Sequence, residues 1–201
     1  MSTNEMAMLA SDLPEGDEPP FVPGQGEPGH SKPDQSKPGG LGQAADDLEI
    51  TPAIPASAGA LIFDRKDRLL VLKPTYKAGW TIPGGVMEAD GESPWEACQR
   101  EVREECGLLL PSGRLACVDF RSPRPGRPGG LRFLFDCGVF DDAALDAVAL
   151  QAEEISQYRL AKVKTALPLL SGPIRRRVRA ACAAAPGTVY LEEGRPVGGV
   201  R

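Results

Sequence analysis

The chain has 201 residues, with 23 Lys and Arg against 28 Asp and Glu, so it has room for one ordinary domain plus an extension. Its net charge of −5 argues against a nucleic-acid binder that works mainly by attraction to phosphate. Cysteines at 98, 106, 117, 137 and 182 are odd in number and lack close pairing, and the single histidine, His30, leaves carboxylates to carry any chemistry.

The charge is divided unevenly. Residues 1–56 hold 9 of the 20 prolines, 10 acidic residues and 2 lysines, whereas the remainder carries 21 basic and 18 acidic residues, a net of +3. A segment of the first kind cannot bury enough apolar surface to offset its ordering entropy, so a disordered tail is expected over 1–56 and a domain over 57–192, with a frayed end over 193–201. No apolar run approaches about 18 residues, and the N-terminus lacks the basic-then-apolar layout of a signal peptide. No membrane span is expected, the five cysteines read as reduced core residues, and the expected compartment is the cytoplasm.

Ala58–Phe63 (AGALIF) reads as a buried strand, with a turn over Asp64–Asp67 and a hairpin partner in Arg68–Leu72 (RLLVL). Tyr76–Ile82 then leads to the glycine loop at Gly84–Gly85.

Ser93 reads as an N-cap, Pro94 occupies the first helical position, and Glu96 closes a capping box. Gly107 supplies a left-handed stop, so the spacing predicts a helix over Pro94–Cys106. Stepping about 100° per residue gathers Trp95, Cys98, Val102 and Cys106 on a core face. Glu101, Glu104 and Glu105 fall at about 100°, 40° and 140° from Arg100, beside that face rather than opposite it. Carboxylates so placed are partly enclosed and repel one another, which suits a hard divalent cation such as Mg²⁺ or Mn²⁺ shared with a substrate phosphate. Arg100 can pair with Glu104 or with Glu96 and orient them.

Leu115–Phe120 and Leu131–Phe140 read as strands, separated by a Pro/Gly-rich loop over 121–130. Arg121, Arg124 and Arg127 in that loop either reach a phosphate or second substrate group, or merely solubilise the loop. Asp141–Gln151 reads as a short helix or loop, Ser156–Val163 as a strand, and Thr165–Leu170 and Pro173–Ala184 as helical. In the last, Ile174, Val178 and Cys182 share a stripe, and Arg175, Arg176, Arg177 and Arg179 are expected on the outer, solvated side. A final strand is expected at Thr188–Leu191.

The run Arg100-Glu101-Val102-Arg103-Glu104-Glu105-Cys106-Gly107-Leu108, with Glu92 seven residues before Arg100 and Gly85 upstream, resembles the signature of the Nudix hydrolases. Six residues, Val86–Gly91, separate Gly85 from Glu92 where the family pattern has five. The resemblance implies an α/β/α sandwich with a mixed central sheet, and a metal-dependent hydrolase of the diphosphate linkage in a nucleoside diphosphate derivative. The substrate would be a nucleotide sugar such as ADP-ribose, or a nucleoside triphosphate. It implies Mg²⁺ or Mn²⁺ on Glu101, Glu104 and Glu105 with the Gly85 carbonyl, Arg100 in support, and Glu154, or its neighbour Glu153, as a further acidic group at the site. Pro123, fifteen residues past the motif, is similar to a proline of ADP-ribose-cleaving members. A sensor that binds a nucleotide sugar without cleaving it is the competing class, and a homodimer is left open.

Overall fold

Strands form where β-branched and apolar residues alternate or run together, and glycine and proline interrupt them. The computed structural model describes residues 53–200, and the expectation of a disordered tail falls almost entirely outside them. The strands are β1 (Ala56–Asp64), β2 (Arg68–Pro74), β3 (Gly84–Val86), β4 (Arg114–Arg121), β5 (Gly130–Phe140), β6 (Ile155–Lys162), β7 (Val189–Glu192) and β8 (Arg195–Pro196). They make one sheet in the order β6-β2-β1-β5-β4-β7-β8, with β3 paired to β1. β1 runs parallel to β5 and β4 parallel to β7, while the other pairs are antiparallel. The sheet is therefore mixed, as expected.

Helices α1 (Pro94–Cys106) and α4 (Gly172–Ala184) cover opposite faces, and two short helices, α2 (Asp142–Asp146) after β5 and α3 (Val163–Ala166) after β6, lie between them in the chain. Successive strand side chains point to opposite faces. Ala58, Ala60 and Ile62 of β1 accordingly pack with Ala97, Cys98, Val102 and Cys106 of α1. Leu61 of the same strand packs with Ile174, Val178 and Ala181 of α4. Each fully buried Val, Leu or Ile contributes about 1.5–3 kcal/mol by its removal from water, so these two layers hold α1 firmly against the sheet. Trp95 extends that grip, meeting Phe135 edge-on at 5.1 Å. All five cysteines are free, and Cys98, Cys106, Cys117 and Cys137 are buried.

The turn between β1 and β2 is organised by Asp64. Its Oδ1 accepts the backbone N–H groups of Lys66 and Arg68 at 2.9 and 2.7 Å, and its Oδ2 accepts Arg68 Nε at 2.6 Å. Burial opposes its charge, but these bonds outweigh burial and hold the carboxyl below its ordinary value of 3.8. A lowered native value stabilises the fold above pH 3.8, and that contribution is lost as pH falls through the native value. Asp64→Ala is therefore expected to lower the urea midpoint at neutral pH, with the gap from wild type closing in acid. Equal midpoints at pH 7 would show that the turn is held by other contacts.

The structure departs from expectation in three places. Gly84–Val86, expected as loop, forms β3 against Ser57–Gly59, because two glycines let its backbone approach β1 closely. The chain after Leu191, expected to fray, folds back as β8 on β7. Arg177, expected on the solvated side of α4, is buried. It lies three residues after Ile174, which places it on the stripe facing the sheet, and Asp119 of β4 supplies the charge that makes its burial tolerable.

Candidate active site

The site begins with the entry to α1. Ser93 Oγ accepts the N–H of Glu96 at 3.3 Å, and Glu96 Oε2 accepts the N–H of Ser93 at 2.9 Å. This capping box and Pro94 fix the first turn, and Gly107, at φ +69°, ends the helix. With both ends fixed, the rotation of α1 about its axis is set by its core stripe, and the glutamates fall where the wheel places them. Glu105 is 5% exposed. The Glu101 side chain is 15% exposed and that of Glu104 45%.

Arg100 ties the helix to the loop before it. Its Nε meets Glu92 Oε1 at 2.8 Å, its Nη1 meets Glu101 Oε1 at 2.9 Å and Glu104 Oε2 at 3.1 Å, and its Nη2 donates to the Val86 carbonyl at 3.0 Å. Glu96, the other acidic neighbour considered for it, is engaged in the cap. The Arg100 bond also holds the Glu92 carboxyl below its ordinary range. Glu88 lies at the rim, 3.9 Å from Arg100 Nε.

The glycine pair closes the other side. Gly84 donates its N–H to Glu105 Oε2 at 2.8 Å. A Cβ on Gly85 would fall 2.3 Å from Glu101 Oε1, so only glycine lets the loop lie against that carboxylate. The additional loop residue after Gly85 thus leaves Gly85 facing Glu101. Burial raises the Glu105 carboxyl to about 8, with the charges of Glu101 and Glu154 adding to it and Gly84 and Lys77 opposing. Burial likewise raises Glu101, against the pull of Arg100 and with Glu104 and Glu154 adding. Tyr76 is raised by burial and then by Glu105, Glu154 and Glu101. Glu154, in the exposed turn before β6, thus lies within electrostatic reach of both buried carboxylates. Thr75 holds that turn, its N–H bonding the Glu154 carbonyl at 2.8 Å and its hydroxyl the Glu153 carbonyl at 2.7 Å.

Among the described residues, no three acidic, histidine or cysteine side chains are gathered tightly enough to cage a metal ion. Glu101 and Glu104 face Arg100 instead. The chemistry of the donors nevertheless fits a hard divalent cation: oxygen ligands only, two of them carboxylates whose ionisation their surroundings oppose.

The native value of Glu105 near 8, against an ordinary 4.5, has a definite consequence for stability. A raised native value stabilises the fold below pH 4.5, and this contribution is lost as pH rises towards 8. Without divalent ions the melting temperature should carry a downward contribution from Glu105 between those limits, and Glu105→Gln should remove it. An unchanged pH profile in that variant would show that Glu105 is not the group responsible.

A cavity of about 260 Å³ meets the carboxylates at the glycine pair, and Lys77, Gly84, Gly85, Arg132, Phe133 and Arg177 are among its lining residues. Arg121, Arg124 and Arg127 are not. Arg121 and Arg124 pair with Glu193 at 3.1 and 3.0 Å, and Arg127 exchanges backbone hydrogen bonds with Arg124 at the loop tip. The cations beside the cavity are Lys77, Arg132 and Arg177, which the sequence alone does not single out. Arg177 carries a signal, its i+3 relation to Ile174, whereas the placement of Arg132 follows from the register of β5 beside β1.

The NUDIX domain family model matches residues 53–182. A relative from Danio rerio, described as 8-oxo-dGDP phosphatase NUDT18, is 38% identical over 80 residues, 38% of this chain and 23% of that protein. The chain thus matches less than a quarter of that relative's length. Among solved structures, the MutT protein from Methanosarcina mazei Go1 superposes with a TM-score of 0.56 at 24% identity, covering 66% of this chain and 96% of that one. The NUDIX domain of Shewanella oneidensis NrtR, solved with ADP ribose, superposes with a TM-score of 0.57 at 15% identity, covering 71% and 98%. These two likenesses establish the fold. No helix among the described residues is long and apolar enough to cross a membrane.

Proposed function

Because this chain belongs to the NUDIX domain family, we propose that it hydrolyses the diphosphate linkage of a nucleoside diphosphate derivative, either a nucleotide sugar or a nucleoside triphosphate, with a divalent metal ion. One observation carries this reading: two enclosed carboxylates, Glu101 and Glu105, adjoin a cation-lined cavity across the glycine pair. The similarity to a relative described as an 8-oxo-dGDP phosphatase supports a nucleotide substrate.

Glu101, Glu104 and Glu105, with the Gly85 carbonyl, would hold Mg²⁺ or Mn²⁺. Such an ion, when bound, neutralises diphosphate charge and acidifies a water. Arg100 bonds the Glu101 and Glu104 carboxylates and would orient them, and the Gly84 N–H fixes one oxygen of Glu105. Glu154, exposed and within electrostatic reach of both buried carboxylates, or its neighbour Glu153, would take a proton from the attacking water. Lys77, Arg132 and Arg177 set positive charge on the cavity side, which suits the negative charge that the phosphates of a nucleotide carry.

Incubation with nucleotide sugars, dinucleotides and triphosphates, with Mg²⁺, Mn²⁺ or chelator, and identification of products by mass, tests the proposal. Products phosphorylated on both sides of the broken linkage, formed only with the divalent ion, are expected. Tight binding with intact ligand throughout would instead identify a sensor.

A further inference from the structure

Both arginines of the cavity lining are fastened, and in different ways. Arg132 donates from Nη1 and Nη2 to the carbonyls of Leu131 and Gly129 at 3.1 and 3.3 Å. It also lies opposite Asp119 in the antiparallel register of β4 and β5, so the two side chains leave the sheet on the same face. Arg177 comes to that face from α4, and its Nη1 lies 3.4 Å from Asp119 Oδ2. Arg177 is 8% exposed and Asp119 has no exposure at all.

The Asp119 carboxylate is itself held from a third element. Its Oδ1 accepts the N–H of Gly194 at 2.8 Å, in the turn between β7 and β8, while Oδ2 faces Arg177. That turn is pinned in its own right, because Glu193 accepts the N–H of Ser122 at 2.8 Å and pairs with Arg121 and Arg124. Gly194 has φ +75°, and a Cβ there would fall 2.8 Å from Arg176 Nε, so glycine suits the place where the turn passes α4. The hairpin lies beyond residue 182, where the match to the family ends. Neither Asp119 nor Gly194 is among the residues lining the cavity.

We propose that Asp119, clamped by the Gly194 turn, is a positioning residue that aims Arg177 at a phosphate group of the substrate, which makes the β7–β8 hairpin a working part of the binding site. The inference rests on the nucleotide-hydrolase reading above. With Lys77, Arg132 and Arg177 in its lining and no acidic side chain, the cavity suits an anion. A guanidinium is a planar fork of donors that matches phosphate oxygens, provided its plane is already oriented. Its long side chain otherwise loses rotamer freedom on binding, and a short carboxylate held at both oxygens removes that cost beforehand. Because Asp119 and Gly194 do not line the cavity, their contribution reaches the substrate through Arg177.

Calorimetric titration of the full chain with pyrophosphate, without metal, reads this contact independently of turnover. Arg177→Gln is expected to weaken pyrophosphate binding about tenfold, and Arg177→Lys, which keeps the charge without the fork, should recover only part of the loss. Asp119→Asn, whose amide oxygen can still accept the Gly194 N–H, should weaken it by about three- to tenfold. The same variant should raise KM for whichever nucleotide is cleaved while kcat stays within about threefold, as for a contact made equally in ground and transition states. Gly194→Ala should act in the same direction from outside the cavity. In the double variant Asp119→Asn/Arg177→Gln, the first change should add nothing to the loss from the second. That variant removes both members of the buried pair, so it should fold even if Asp119→Asn, which strands a buried charge, does not. Unchanged pyrophosphate affinity in Arg177→Gln, or no pyrophosphate uptake by wild type, would overturn the proposal. Wild-type affinity in Gly194→Ala would overturn the part given to the hairpin, and a further loss in the double variant beyond Arg177→Gln would overturn the positioning role. The expected pattern in a protein that cleaves no nucleotide would leave the positioning standing and remove the hydrolase reading alone.

Discussion

Glu105→Gln is expected to lower kcat by about 10²- to 10³-fold on whichever nucleotide the protein cleaves, the usual loss when one preorganised electrostatic group is removed from a phosphoryl or acyl site. The substitution is nearly isosteric, and the amide carbonyl can still accept the Gly84 N–H that Glu105 Oε2 accepts at 2.8 Å. The fold should therefore survive. Because Glu105 is buried beside Glu101 and its ionisation is opposed by both burial and that charge, the neutral amide also relieves a local cost. The melting temperature without metal should be equal to or above that of wild type at pH 8. Loss of turnover with a retained or raised melting point separates a chemical role from a structural one. Full activity would rule out Glu105 as a metal ligand.

Gly84→Ala is expected to destabilise the fold by about 3 kcal/mol or more, among the larger effects of a single substitution. Gly84 has φ +139°, a region that residues with a side chain rarely enter, and a Cβ there would fall 2.3 Å from the Ala58 carbonyl oxygen and 2.5 Å from Gly59 Cα. Both obstacles are backbone of β1, paired with β3 at this point, so neither can swing away. β3 must lift off the sheet, which also withdraws the N–H from Glu105. Gly85→Ala provides the contrast. Its nearest obstacle is the tip of the Glu101 side chain, which can rotate, so stability should change by about 1 kcal/mol or less while turnover falls as the carboxylate is displaced. Urea denaturation of both variants measures the difference, and equal midpoints for the two glycines would refute this account of the pair.

The helix that carries the acidic residues is legible in detail from local spacing. Ser93, Pro94, Glu96 and Gly107 act within one or two turns of the chain, so their positions specify the ends of α1, and the wheel then places Glu105 at the edge of the core face. The enclosure of Glu105 follows from that local geometry. The partners of Arg100 are only partly legible: Glu104 is a helical neighbour, but Glu92 and the Val86 carbonyl reach it because the loop folds back over the helix. The strands can be read to within a few residues, except β3 and β8, which are too short to carry a periodic pattern and exist through pairing with β1 and β7.

The sequence by itself determined the longer elements, the core stripe of α1 and the carboxylates beside it, because each depends on residues close together in the chain. Tertiary structure alone decided which cations serve the cavity. Arg121 and Arg124 lie in a loop whose direction no local rule fixes, and they close onto Glu193, 69 or more positions away. Arg132 and Arg177 enter the cavity lining through strand register and through a buried partner, Asp119, 58 positions from Arg177. Such pairings depend on which strands lie side by side, and local spacing does not encode sheet order.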